Sequence, residues 1–147
     1  MEGPPIRPLE RVLVAVDGSE ASMKAARVAV DLAAMSGADL TAATVVQVPV
    51  APEYATAVSR DVEDYLAEEA REALARVVPM ARREGLDAKV RVLHGHPAVE
   101  IARFADKGNF DLLVVGSRGL SGVDRMFLGS VSSALVQQSK VSVLVVK

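Results

Sequence analysis

The chain of 147 residues is 50% apolar and 24% charged, the composition of one ordinary globular domain. A chain of this length buries roughly 68–70% of its unfolded surface, so it needs no disulfide or metal staple. Its net charge of −2 and pI near 5.7 offer no basic surface for nucleic acid or anionic lipid, and zero cysteines exclude disulfides, thiol catalysis and cysteine-ligated metal or iron–sulfur centres.

The apolar half is unusual in kind. It holds 25 Val and 23 Ala but only 3 Phe, 2 Tyr and no Trp. That argues for close-packed strands and small-faced helices, and against surfaces that stack bases on aromatic rings. Mean hydropathy is +0.25, yet apolar runs such as Val12–Val16 are strand-length, far below the ~18 residues of a membrane-spanning helix. A cytoplasmic domain without a membrane anchor is expected.

In chain order, residues 1–10 carry Pro4, Pro5 and Pro8 and no signal-peptide core, and read as a flexible tail before one domain over 11–147. Arg11–Val16 is the first strand. The helix after it places Ala21, Ala25, Val28, Ala29, Leu32 and Ala33 on one face. Leu40–Val48 is the second strand. A long helical stripe follows through Val58, Val62, Tyr65, Leu66, Ala70, Ala73, Leu74, Val77 and Ala81, with solvated pairs such as Glu72 and Arg76 opposite. Pro79 is expected to kink or end that helix. Lys89–Leu93 is the third strand, and Pro97 opens a helix capped by His96, with Ile101, Ala102 and Ala105 inward. Phe110–Val115, a helix over Ser130–Gln138 with Val131, Ala134 and Leu135 inward, and Val141–Val146 complete the chain.

The order βαβαβαβαβ specifies an α/β three-layer sandwich. Right-handed crossovers put helices on both faces of a five-stranded, mostly parallel open sheet of Rossmann-like type. Near-continuous apolar strands such as VLVAV suit burial on both faces. In such sheets ligands sit beyond the carboxyl ends of the strands, near the topological switch point. The residues there are Asp17-Gly18-Ser19, Val45–Val48, His94-Gly95-His96 and the segment from Gly116.

That last segment is the most informative. Gly116, Gly119 and Gly122 can adopt positive φ and admit a ligand close to the backbone. Gly129 and Ser130 stand at a helix start, where free amides favour a phosphate and the Ser130 and Ser132 hydroxyls add donors. On chemistry alone the segment reads equally as a surface loop with Ser130 as an ordinary N-cap. It is no P-loop, since G-x-x-x-x-G-K-[ST] is absent, and no dinucleotide fingerprint, since the spacing is G-x-x-G-x-x-G. Asp17 alone reads as a turn residue before the helix. A receiver domain would need an acidic pair and a phosphoacceptor after the third strand, where His94-Gly95 stands instead. His94 and His96 fall short of the three or four ligands of a zinc site. No G-x-S-x-G elbow occurs.

The long spacing, Gly116, two residues, Gly119, nine residues, Gly129-Ser130, resembles the ATP-binding signature G-2x-G-9x-G-[ST] of the universal stress protein family. Val12-Leu-Val-Ala-Val-Asp-Gly-Ser-Glu20, Gly95-His-Pro-Ala98, Asp111–Gly119, Gly129–Ser132 and Val143–Val146 are similar to the same family, so the resemblance covers about residues 10–147.

The resemblance implies an adenine nucleotide alpha hydrolase-like fold and a nucleotide-dependent stress-response regulator that binds ATP, with Mg2+ accompanying the phosphates. It implies that Asp17 lies near adenine and ribose and that Val45 offers its backbone to adenine. Gly116 and Gly119 would shape the loop around ribose and α-phosphate. Gly129, Ser130 and Val131 would supply amides and a hydroxyl to the outer phosphates, and Arg118 would stabilise the loop or reach those phosphates. It implies a homodimer through Val141–Val146, in agreement with the aggregation hazard of an apolar sheet edge. Two positions depart from the family pattern: Thr44, where histidine is frequent, and Ser139-Lys-Val-Ser142, where a proline usually enters the last strand. The alternative is a slow ATPase or a phosphoryl- or adenylyl-transfer enzyme that modifies its own Ser130 or Ser132. The loop supplies positioning amides but no evident base and no lysine, which favours the regulator. A nucleotide-free interaction module is the third reading.

Overall fold

The computed structural model describes residues 8–47, 57–118 and 129–147. Gly119, the 120–128 part of the glycine-spaced segment and the expected strand end at Val48 lie outside them. The elements are β1 (Arg11–Ala15), α1 (Glu20–Ser36), β2 (Asp39–Val46), α2 (Ala57–Arg83), β3 (Lys89–His94), α3 (Pro97–Lys107), β4 (Leu112–Gly116), α4 (Ser130–Gln138) and β5 (Ser142–Val146). All four strand pairings are parallel, in the order β3-β2-β1-β4-β5. Helices cover both faces. The chain winds outward one way from β1 through β2 to β3, then crosses back to β4 and β5, so the switch point lies between β1 and β4.

Each face has its own core. Val12, Val14, Leu40 and Ala42 pack under α1 and α2, while Leu13, Ala43, Leu113 and Val115 pack under α3 and α4. Strands buried on both sides have no polar face to spare, which accounts for the unbroken Val/Leu/Ala runs of β1 and β4 and for a β2 interrupted only by the small Thr41 and Thr44. Alanines on α1 (Ala25, Ala26, Ala29 and Ala33, all fully buried) let that helix lie close against the sheet. Met23 and Val30 complete this face, whereas Val28 and Leu32 are only half-buried, so the face is rotated from the expected one. Gly37 in the left-handed region (φ 70°) ends α1.

Helix α2 departs from expectation at both ends. Its buried face runs through Ala70, Ala73, Leu74, Val77 and Ala81, but Val62 and Tyr65 in its earlier turns are exposed. Pro79 does not end the helix, which continues to Arg83. Pro79 itself is exposed, and the buried Val77 and Ala81 on either side hold the backbone in place across the lost hydrogen bond. His96 occupies the N-cap position of α3 but its side chain makes no capping bond; Pro97 at the first position removes one of the amides that would need it. At the start of the fold, the Asp111 carboxylate accepts from the Glu10 and Arg11 amides at 2.8 Å each, tying the entry of β1 to that of β4.

Candidate functional site

At the carboxyl end of β1 the chain turns sharply into α1. Gly18 takes φ +85°, a conformation that L side chains rarely adopt. Oδ1 of Asp17 accepts from the Ser19 amide (2.9 Å), the Asp17 amide donates to the Ser22 hydroxyl (3.2 Å), and the Ser19 hydroxyl caps the helix by accepting from the Ser22 amide (3.1 Å). Ser22 in turn donates to the Ser19 carbonyl (3.0 Å). The turn is thus internally satisfied and leaves the Asp17 side chain exposed above it. Ser22 was not among the expected site residues; its signal is the Ser-x-x-Ser spacing of a capped first turn. From α2, Nη1 of Arg76 reaches the Gly18 carbonyl at 3.4 Å, so Arg76 joins this turn rather than the expected pair with Glu72. The neighbouring ion pair on α2 is Arg71 with Glu68, three residues apart.

Beside β1, the Val16 amide donates to the Ala43 carbonyl at 2.9 Å. Alternate residues of a strand direct their peptide groups to the same neighbour, so the Val45 amide and carbonyl also face β1's side, where β1 has already turned away at Asp17. Val45 is half-buried and Thr44 is buried. Gly95, at the end of β3, donates its amide to the Val46 carbonyl (3.1 Å).

Gly116 ends β4. A β-carbon there would lie 2.7 Å from the backbone carbon of Ala21 and 2.8 Å from its carbonyl oxygen. The absence of a side chain therefore lets β4 abut the first turn of α1 and brings the two halves of the switch point together. This corrects the expectation of a positive φ: Gly116 is not among the positive-φ glycines, and Gly129 has φ −63°. Close packing of backbone on backbone explains Gly116 instead.

The ends of the glycine-spaced segment are tied to one another. The Gly129 amide donates to the Ser117 carbonyl at 2.6 Å, and the Ser117 amide donates to the Val146 carbonyl at 2.8 Å. The Ser132 hydroxyl lies 3.0 Å from the Gly129 carbonyl and 3.2 Å from that of Ser117, and it is buried. Ser132 is therefore a strut and not a free donor, which corrects its expected role. Gly129, not Ser130, is the N-cap. The first intrahelical bond of α4 is donated by Ser133 to Gly129, so the amides of Ser130, Val131 and Ser132 have no helical acceptor. Ser130 is exposed, while Val131 and Arg118 are half-buried. The structure thus gathers Asp17, Val45, Gly116, Arg118, Gly129, Ser130 and Val131 at the carboxyl edge of the sheet around the switch point. Among the described residues no three His, Cys, Asp or Glu side chains converge as a metal site.

The Universal stress protein family matches residues 8–147. Universal stress protein MJ0531 of Methanocaldococcus jannaschii is 36% identical over 139 residues, 94% of this chain and 82% of that one. UspA of Lactobacillus plantarum superposes with a TM-score of 0.87 at 27% identity, covering 97% of this chain and 100% of that one. A universal stress protein solved in complex with cAMP is 32% identical, with a TM-score of 0.74 over 96% and 99% of the two chains. The shared architecture is the adenine nucleotide alpha hydrolase-like α/β fold.

Proposed function

This chain belongs to the universal stress protein family, and from that premise we propose that it is a cytoplasmic, nucleotide-dependent stress-response regulator whose ligand is ATP. The observation that carries the reading is the switch point, where an exposed carboxylate after β1 and the α4 amides that have no helical acceptor flank one strand boundary. Those amides and the helix dipole suit an anion, and the Asp17 carboxylate suits the hydroxyls of a ribose. The relative bound to cAMP supports the ligand class.

In this reading Asp17 meets ribose and the adenine edge, and Val45 offers its outward peptide groups to adenine. Gly116 and Gly119 shape the strand-to-helix passage around ribose and α-phosphate. Ser130 and Val131 offer amides and a hydroxyl to the outer phosphates beside Gly129, whose own amide is held by the Ser117 carbonyl, and Arg118 stabilises the loop or adds a guanidinium to those phosphates. Mg2+ travels on the phosphates, since hard cations are readily held by phosphate oxygens and water.

A homodimer forms through the uncharged edge strand β5. Replacement of Gly129 by Val tests the site, because φ −63° accepts a side chain without strain while the branched carbons crowd the phosphate position. The expected result is loss of calorimetric ATP binding with an unchanged melting curve; unchanged affinity in the folded variant overturns the site. A second reading, slow ATP hydrolysis or transfer to a hydroxyl of the site, is favoured by the exposed Ser130. Ser132 is buried and hydrogen-bonded and is no acceptor. Phosphate release or a mass shift on Ser130 above that of the Gly129 variant would favour it.

A further inference from the structure

A cavity of about 270 Å3 opens between α2 and the edge strand β3, on the opposite margin of the sheet from β5. Its walls are Arg71, Leu74, Ala75 and Val78 of α2, spaced as one helical face, and Val90–Val92 of β3. Leu74 is a buried floor and Val90 is 39% exposed, so the notch is apolar inside and open to solvent. Both charged residues of its lining are arginines. Nη1 of Arg91 donates to the Val90 carbonyl at 3.0 Å, and Nη1 of Arg71 lies 3.5 Å from Glu68 in an exposed pair. Each guanidinium carries five N–H donors, so most remain available, and an exposed pair such as Arg71–Glu68 exchanges partners at little cost.

The occupant must be small and apolar where it enters the notch, with an anionic group only at the arginine rim. Arg91 covers the outward Val90 carbonyl, which an added strand would need, so the site disfavours an extended peptide. The volume lies just under the usual range for small-molecule sites. Two guanidiniums beside an aliphatic floor match an apolar tail with a carboxylate head. We propose that the α2–β3 notch binds small amphiphilic carboxylates, independently of the nucleotide site.

Octanoate is the probe, titrated calorimetrically into the whole chain. The expected result is saturable binding that is at least about tenfold weaker for octylammonium, whose charge the arginines repel. Arg71→Ala and Arg91→Gln each weaken octanoate about three- to tenfold, the exposed charge-assisted bonds being partly screened. Both variants should melt like the parent. Ala75→Phe, which fills the notch from an exposed helix position, should abolish binding. Absence of saturable octanoate binding, equal affinity for octylammonium, or full affinity in Ala75→Phe would each overturn the proposal. ATP affinity, measured alongside, is expected to be unchanged.

Discussion

The two edges of the sheet are built on opposite terms. At β3 the exposed strand carries Lys89 and Arg91, and Arg91 turns back to hydrogen-bond the outward Val90 carbonyl. At β5, Ser142–Val146 holds no charge, and all four of its apolar residues are half-buried rather than covered. Charges on an edge oppose strand addition, and a bare apolar edge invites it. One margin carries charges that oppose a second chain, and the other carries none. Lys89 and Arg91 are thus better understood as guards than as ligand residues for nucleotide, while β5 is the edge proposed above for the dimer.

The largest effect is expected at Gly116, whose partner in the last rung of the β4–β5 ladder is Val146. Gly116→Val forces side-chain atoms into the Ala21 backbone and should cost about 3 kcal/mol or more, read as a large fall in melting temperature. A thermal midpoint like the parent's would show that β4 does not depend on that close approach. Next in size is Val145→Pro. The Val146 carbonyl faces β4, so the Val145 amide faces outward and its loss spares the ladder. Light scattering at micromolar concentration should find the parent a dimer and this variant a monomer with unchanged far-ultraviolet dichroism. A parent that is already monomeric would remove the asymmetry between the edges.

The reverse experiment is smaller. Lys89→Val with Arg91→Val strips the guard, and concentration-dependent association beyond the dimer is expected; no change in sedimentation would mean the charges do not protect. The smallest effect is remote from both edges. The Tyr65 hydroxyl donates to Glu69 at 2.8 Å, and that bond together with the carboxylate charge holds its pKa above the ordinary 10.0. Its protonated form is the one the fold favours, so the contribution is present at neutral pH and is lost as pH rises through the raised value. Glu69→Gln should bring the absorbance titration of Tyr65 back toward 10.0 without altering the dimer.

Much of this architecture is written in hydrophobic spacing. The element order, the parallel pairing implied by unbroken apolar strands, and the carboxyl-edge location of Asp17, Val45 and Gly116 follow from short-range pattern and topology rules alone. The spacing from Gly116 through Gly129-Ser130 also carried the resemblance to the family. The rest depended on which atoms approach one another across the fold. Periodicity put Val62 and Tyr65 on a buried stripe, because a helix pattern records which residues share a face but not which turns of that face are covered. Pro79 read as a kink or a stop, and the stop did not follow because local rules omit the packing of Val77 and Ala81 that holds the helix through it. Ser132 read as a free donor because one of its two acceptors, the Ser117 carbonyl, comes from the other end of a loop.

By itself the sequence determined the winding of the chain, the composition of each strand and the candidate site positions, since these depend on residue type and interval. Tertiary structure decided why Gly116 lacks a side chain, which serine hydroxyls are committed and which sheet edge is guarded. The first two rest on distances of about 3 Å between residues far apart in the chain, set by packing that no local interval encodes, and the third on which strands the topology leaves at the margins.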